Sequence, residues 1–550
     1  SSIFKMFNVL YVVCFLIVIL AAIALVLKRW KDIHLLPAYM YYRFLTAHGL
    51  NMLIFFIIFF EMAVLYFAGP VVLNSRLPAV WLGWLAFILM VVGAVLVDWM
   101  VFAGKADVLF TSYPPLMADH KYYLGIILFA VGALIVCGLF FASLHVAKRD
   151  KTYEGSVPLV TFGALTAAII AVISLLHGAV IYIPTWLWSL DVMGIDAQLY
   201  RLIWWGLGHS SQQINVAAMV AIWYLLAGLT VGGVVLNEKI SRTAFVLYVL
   251  FISMASAHHL LVDPGMGAAW KIWNTSYAMY LAVLASMIHG FTVPAGIELG
   301  QRLRGFTQGT FEWLRKAPWG DPGFSGLVLS VIIFGFMGGI TGVTIGTEQI
   351  NIMAHNTMRI PGHFHVTVVG GTALAFMAVT YYLLPLIFQR RVAFWSWVKY
   401  QPYLFGLGIS VMAVGMTFQG IFGAPRRHWD INAADSPFPV EFHSAVELFQ
   451  AVMGIGGMLA AVGALIFIAS AVVSVFFGKR VDETAIQEEA VGIPQGVLNL
   501  PNQTHSGSMV GRLHKQGTPG TVILVFIFLA CFVVYYFVNW KLLSFLWKIG

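Results

Sequence analysis

The chain has 550 residues, of which 60% are hydrophobic and only 10% charged, and its mean hydropathy is +0.88. Soluble domains carry roughly 25% charged residues, so a surface turned wholly to water is excluded and most of it must face lipid. The net charge of +8 does not point to nucleic acid, because the Lys and Arg residues form short clusters between apolar runs rather than a basic stripe.

Runs long enough to cross a bilayer of about 30 Å recur about thirteen times along the chain. The first, 8–27, lacks a small-residue cleavage site and exits at Lys28, Arg29 and Lys31, which predicts an anchor helix rather than a signal peptide. The others are expected at 46–69, 80–103, 122–147, 158–184, 202–235, 243–262, 271–300, 325–355, 361–388, 402–423, 440–477 and 519–547. Together they predict an all-α, polytopic membrane protein with a single domain over 1–550. Its one long polar loop is 478–518, between the last two helices. With thirteen spans the N-terminal side collects about 18 of the 31 Lys and Arg and the opposite side about 13, which places the N-terminus in the cytoplasm. Cys14, Cys137 and Cys531 stand alone in apolar runs, with no spacing for a disulfide framework, an iron–sulfur centre or a covalently attached heme.

The chemistry is concentrated in sixteen histidines. A lone His inside a span, such as His145 or His177, is accounted for by one interhelical hydrogen bond. The segment RIPGHFHVT differs. Pro361 suits the first turn of a helix, and at about 100° per residue His363 and His365 point to nearly opposite faces. They cannot easily chelate one ion, but each can ligate a separate heme. In SAHHLLVDPG the adjacent His258 and His259 can join a third imidazole on one metal, with His209 of WWGLGHSSQQ as the candidate; an ordinary polar contact between helices explains the pair equally well. His48, at the start of the second span, supplies a second axial ligand for a bis-histidine heme, and Gly49 beside it would admit a ring close to the backbone.

These elements, AHG, WWGLGH, HH and PGHFH in this order and on these spans, resemble the heme–copper oxidase superfamily. The further segments YPP at Tyr113–Pro115, HHLLVDPG, HNT at His355–Thr357 and PRR at Pro425–Arg427 resemble its B family, the branch of the Thermus-type cytochrome c oxidase. The resemblance implies a low-spin heme on His48 and His365, a high-spin heme on His363, and a non-heme metal, copper B, on His209, His258 and His259. It implies that Arg426, Arg427, Asp263 and His355 order the heme propionates, directly or through water. The two arginines also fall on the side that the charge bias disfavours, which paired anions would explain; a solvated loop pair is the alternative.

One departure bears on the substrate. Oxygen-reducing members of the superfamily carry, four residues after the first copper ligand, a Tyr joined covalently to a copper-ligating His, which supplies one electron and a proton to oxygen splitting. Here that position is Gln213, and Tyr224 lies about 16 Å further along at 1.5 Å per residue. Nitric oxide reductases of the superfamily lack this Tyr, because joining two NO molecules takes only two electrons. The resemblance therefore implies a catalytic subunit that reduces NO to N2O, with Gln213 able to hydrogen-bond or weakly coordinate. The alternative is a B-type cytochrome c or quinol oxidase that uses Trp205 or Tyr113 as its redox residue. A transporter is a third class, distinguished by holding no heme. Glu61, Glu348 and a Ser286–His289–Tyr224 set are candidates for proton supply, each also readable as ordinary helix contacts. With no copper-A cysteine pair in the chain, electrons would come from a small copper-A cupredoxin subunit, a cytochrome c or quinol. Three imidazoles suit copper or iron, copper better without a Glu ligand, and heme a, b and o all share His ligation.

Overall fold

The computed structural model describes residues 2–252, 256–480 and 517–546. Among these, twelve helices are long and apolar enough to cross a membrane. In chain order they are α1 (Ser2–Arg29), α2 (Ala38–Val71), α3 (Val80–Phe102), α4 (His120–Arg149), α5 (Leu159–Trp188) and α6 (Ala197–Val231). After the shorter α7 (Glu238–Leu247) come α8 (Ala268–Leu303), α9 (Pro322–Ile345), α10 (Arg359–Phe388), α11 (Trp395–Ile421) and α12 (Ala445–Phe477). The last is α13 (Pro519–Leu546). The expected span 243–262 corresponds to α7, a π turn at Tyr248–Ile252 and a 3-10 turn at Ser256–Leu260; residues 253–255 within it are not described. The polar loop expected at 478–518 lies, over 481–516, outside the described residues.

The scarce acids are spent on helix starts. Asp119 accepts from the Lys121 backbone N–H at 3.0 Å, Asp196 from Leu199 at 2.6 Å and Asp321 from Gly323 at 2.7 Å, satisfying donors that a helix N-terminus otherwise leaves open. Large side chains such as Leu20, Trp81, Val95 and Phe537 stay exposed, as lipid-facing residues do. Small residues let the helices close up inside: a Cβ on Gly415 of α11 would stand 2.5 Å from the Met453 nitrogen of α12, so only glycine permits that approach.

Two boundaries differ from expectation, for local reasons. The second helix starts at Ala38 instead of 46. Its first two turns, AYMYYRF, are aromatic and basic, the composition of a membrane interface, and this puts His48 well inside the helix. The span expected at 325–355 stops at Ile345, and a new short helix, Glu348–Ala354, begins after Thr347. Glu348 is therefore off the span. Alternating crossings gather the turns containing Tyr113, Asp263, His355 and Arg426 at one end of the bundle, opposite the N-terminus.

Candidate heme and metal centre

Trp205, His209 and Gln213 recur every four residues on α6 and so share one face. The 3-10 turn carrying His258 and His259 brings both imidazoles against that face. The His209 ring centroid lies 4.4 Å from that of His258 and 5.2 Å from that of His259, and one nitrogen from each of the three rings falls within 4.8 Å of the other two. Among the described residues this is the group of His, Cys, Asp and Glu side chains placed to hold an ion. The two nitrogens of His209 have different neighbours: Nδ1 is 3.0 Å from His259 Nε2, while Nε2 is 3.1 Å from the amide nitrogen of Gln213.

Trp205 lies flat on His259, with centroids 3.8 Å apart and planes within 5°, and its indole N–H donates to the Tyr113 hydroxyl at 2.6 Å. Arg201 stands 4.4 Å over the Tyr113 ring and grips Asp263 through two bonds of 2.8 and 3.0 Å.

His48 on α2 and His365 on α10 face each other with centroids 6.3 Å apart and planes within 13°. Two metal–imidazole bonds of about 2.0–2.1 Å plus the half-width of each ring span about 6 Å, so the gap fits one iron between them. His48 Nδ1 lies 3.3 Å from the Val18 carbonyl and His365 Nδ1 2.8 Å from the Pro361 carbonyl. These acceptors fix the tautomer that leaves each Nε2 for a metal. His363 behaves alike, its Nδ1 lying 3.0 Å from the Thr341 hydroxyl. A Cβ on Gly342 would stand 2.8 Å from His363 Cε1, so the missing side chain makes room for that ring. Gly49, by contrast, faces Phe110, whose Cβ would lie 3.2 Å from an added methyl. π-helical segments adjoin the heme candidates, Asn51–Phe56 after His48 and His365–Ala373 starting at His365 itself; such wide turns re-aim side chains and recur at functional sites.

The arginine loop is tied from both sides. Arg29 of α1 donates to the His428 and Pro425 carbonyls at 2.8 and 3.0 Å, and the Arg426 N–H donates to the Asn356 carbonyl at 2.9 Å. Arg426 also reaches the Asn356 side chain at 3.3 Å, while its buried Nε has no hydrogen-bond partner among the described residues. Among the described residues no carboxylate pairs with Arg426 or Arg427. Burial, then the Arg427 charge, pushes the Arg426 guanidinium down to about 9. Burial and the Arg426 charge push His355 down to about 4, so it is neutral at pH 7. A half-buried cation pair without acids among the described residues fits carboxylate groups brought by a ligand.

All six histidines line one cavity of about 1320 Å³, together with Gln213, His355, Arg426 and Arg427. Pockets for single small molecules run to about 1000 Å³; this one has room for more than one porphyrin-sized group. Asp263 is not in its lining and is held by Arg201 instead. Neither Glu61, buried with both carboxylate oxygens unpaired among the described residues, nor Glu348, in an ion pair with Lys271 at 2.6 Å, reaches it. Tyr224 contacts His289 at 2.9 Å, Thr292 at 2.6 Å and Ser241 at 3.1 Å, whereas Ser286 contacts Tyr248 at 3.0 Å and lines the cavity. Sequence reasoning missed Arg201, Thr341 and Asn356. Arg201 was the most findable, since it lies two helical turns before His209 on the same face.

The family model for cytochrome c and quinol oxidase polypeptide I matches residues 2–459. Cytochrome c oxidase subunit 1 of Thermus thermophilus is 32% identical over 443 residues, covering 78% of this chain and 75% of that protein. Quinol oxidase subunit 1 of Bacillus spizizenii is 23% identical, covering 76% of this chain and 64% of its relative. A heme–copper terminal oxidase solved as a dimer by electron cryomicroscopy shares the fold at a TM-score of 0.82 and 24% identity, over 96% of this chain and 92% of that one. The chain is thus a multi-pass membrane oxidoreductase subunit belonging to the heme–copper oxidase subunit I family, whose members bind hemes and copper.

Proposed function

We propose that this chain is the catalytic subunit of a respiratory nitric oxide reductase, turning two NO, two electrons and two protons into N2O and water. The observation that carries this reading is the Gln213 amide, 3.1 Å from His209 Nε2. It stands where an oxygen-splitting site of this superfamily needs a phenol, and an amide neither gives up an electron readily nor forms the crosslink.

In this reading His48 and His365 hold the low-spin heme, His363 the high-spin heme, and His209, His258 and His259 a copper ion, since among the described residues no carboxylate joins the three imidazoles. When bound, the hemes and copper supply the one-electron steps. The protein supplies the rest. The Nδ1 contacts of His48, His363 and His365 orient the ligand rings. The largely apolar cavity takes up a small uncharged gas while excluding water. Arg426 and Arg427 bind propionates, with neutral His355 and the Arg201–Asp263 pair beside them. The Ser241–Tyr224–His289–Thr292 cluster and the Tyr248–Ser286 pair support proton supply from the end opposite the arginines.

The chain would sit in the cytoplasmic membrane of a bacterium or archaeon with its N-terminus inside. Electrons would enter at the arginine end from a membrane-anchored copper-A cupredoxin, with a cytochrome c or quinol as other donors. Oxygen reduction is the second reading. It is favoured by the names of the relatives and by the Trp205–Tyr113 pair against His259, two oxidisable rings joined by a hydrogen bond. The two separate on one preparation: the proposal expects anaerobic N2O release with reductant and slow oxygen uptake. Rapid oxygen turnover with no N2O would overturn it.

A further inference from the structure

We infer that Gln213 acts as a positioning residue, its side-chain carbonyl accepting the Nε2–H hydrogen of His209 and so holding that ring in the tautomer whose Nδ1 binds the metal. The inference rests on the three-histidine site of the proposed function and concerns how that site is aimed.

The two nitrogens of His209 cannot exchange roles. Nδ1 faces the other imidazoles, 3.0 Å from His259 Nε2, and Nε2 faces away from them, 3.1 Å from the amide nitrogen of Gln213. Only Nδ1 can share an ion with His258 and His259. A neutral imidazole that ligates through Nδ1 carries its hydrogen on Nε2, and that hydrogen needs an acceptor. The amide is the group in contact with it. An amide offers an oxygen acceptor at one corner and NH2 donors at the other, and a half-turn of its last torsion exchanges them. With Nε2–H in place an NH2 would meet it donor to donor, so metal binding selects the orientation with Oε1 toward the ring.

Helix geometry makes the contact dependable. His209 and Gln213 are four residues apart on α6, so their side chains meet on one face. One turn earlier on the same face, Trp205 packs flat on His259. The stripe thus braces two of the three imidazoles, one by stacking and the other by a hydrogen bond. Both braces are noncovalent, and the one on His209 depends on acceptor chemistry and not on packing.

The test uses the purified full-length protein and a copper(I) chelator, bathocuproine disulfonate, in competition with the third metal site. Removing the orienting partner of a metal-bound His costs about 10–100-fold in metal affinity, which is the loss expected for Gln213→Leu. Gln213→Glu keeps an acceptor oxygen at the same reach and should stay within about threefold of the wild type. The low-spin heme spectrum, whose ligands lie on other helices, reports folding of each variant. Equal affinity in Gln213→Leu and wild type overturns the inference, as does a Gln213→Glu loss as large as that of Leu. If Gln213→Leu also loses the low-spin spectrum, Gln213 serves folding and the inference falls. A wild-type protein without a stoichiometric third metal is a separate result, and it sinks the metal-site reading itself.

Discussion

At the scale of single residues, most of the site is held by hydrogen bonds to nitrogens that face away from the expected metal. His48, His363 and His365 each direct Nδ1 to an oxygen of the protein, and Thr341 is the side chain among those acceptors. Thr341→Val removes it with almost no change of shape. The expected outcome is a loss of about 10–100-fold in retention of the high-spin heme, read as loss of the carbon monoxide difference spectrum while the low-spin band persists. His365→Ala should do the reverse, removing the low-spin band and leaving carbon monoxide binding. Trp205 separates the two candidate substrates. Trp205→Phe keeps an aromatic face against His259 but loses the indole N–H to Tyr113 and the readily oxidised ring, so NO turnover should stay within a few-fold. Under the oxygen-reducing reading the same change should abolish oxygen uptake. The six histidines were legible in the sequence because ionisable groups are rare within spans. Thr341 was not, since a lone Thr in an apolar helix has no signature until its partner is known.

At the scale of elements, the arginine loop shows how a turn becomes rigid enough to hold anions. It is clamped to α1 by Arg29 and to the His355 turn through Asn356, and the Trp429 indole donates to the Leu36 carbonyl at 2.7 Å. Removing one positive charge beside heme propionates relieves repulsion with the iron, and the oxidised heme, which carries one more positive charge than the reduced heme, gains more stability. Arg426→Gln should therefore lower the midpoint potential of the heme it faces, measured by spectroelectrochemical titration; an unchanged potential would separate this loop from the hemes. The PRR segment was legible, but its fastening was not, because Arg29 and Pro425 lie nearly 400 residues apart in sequence. Helix boundaries were legible only to the extent that hydropathy tracks them. The interfacial turns before His48 are set by aromatic anchoring and the break at Thr347 by the Asn351 amide, which donates to the Ile345 carbonyl at 2.7 Å, and neither registers as apolar content.

At the scale of the whole molecule, number and order of crossings follow from hydropathy, and with them the gathering of chemistry at one end. What hydropathy does not convey is how firmly each helix is attached. α13 follows residues outside the description, and only 6% of its apolar window is buried, yet Thr521, Leu524 and Phe528 line the cavity. Its start is fastened by one carboxylate. Glu298 of α8, fully buried, accepts from the Gly520 N–H at 3.1 Å, from the Thr521 N–H at 2.7 Å and from the Thr521 hydroxyl at 2.8 Å, which sets a negative charge at a helix N-terminus. The same group pairs with buried Arg302 at 2.8 Å. Glu298→Ala would release the helix start and strand a buried guanidinium, a change that costs about 3–5 kcal/mol when one partner of a buried pair is removed. The expected outcome is that α13 detaches first when the detergent-solubilised protein is mildly heated, read as faster hydrogen exchange of its backbone than that of α2 and α10. The low-spin heme spectrum should survive, because His48 and His365 belong to α2 and α10. Loss of that spectrum at the same temperature as α13 would mean that the last helix is part of the core and not an attachment to it.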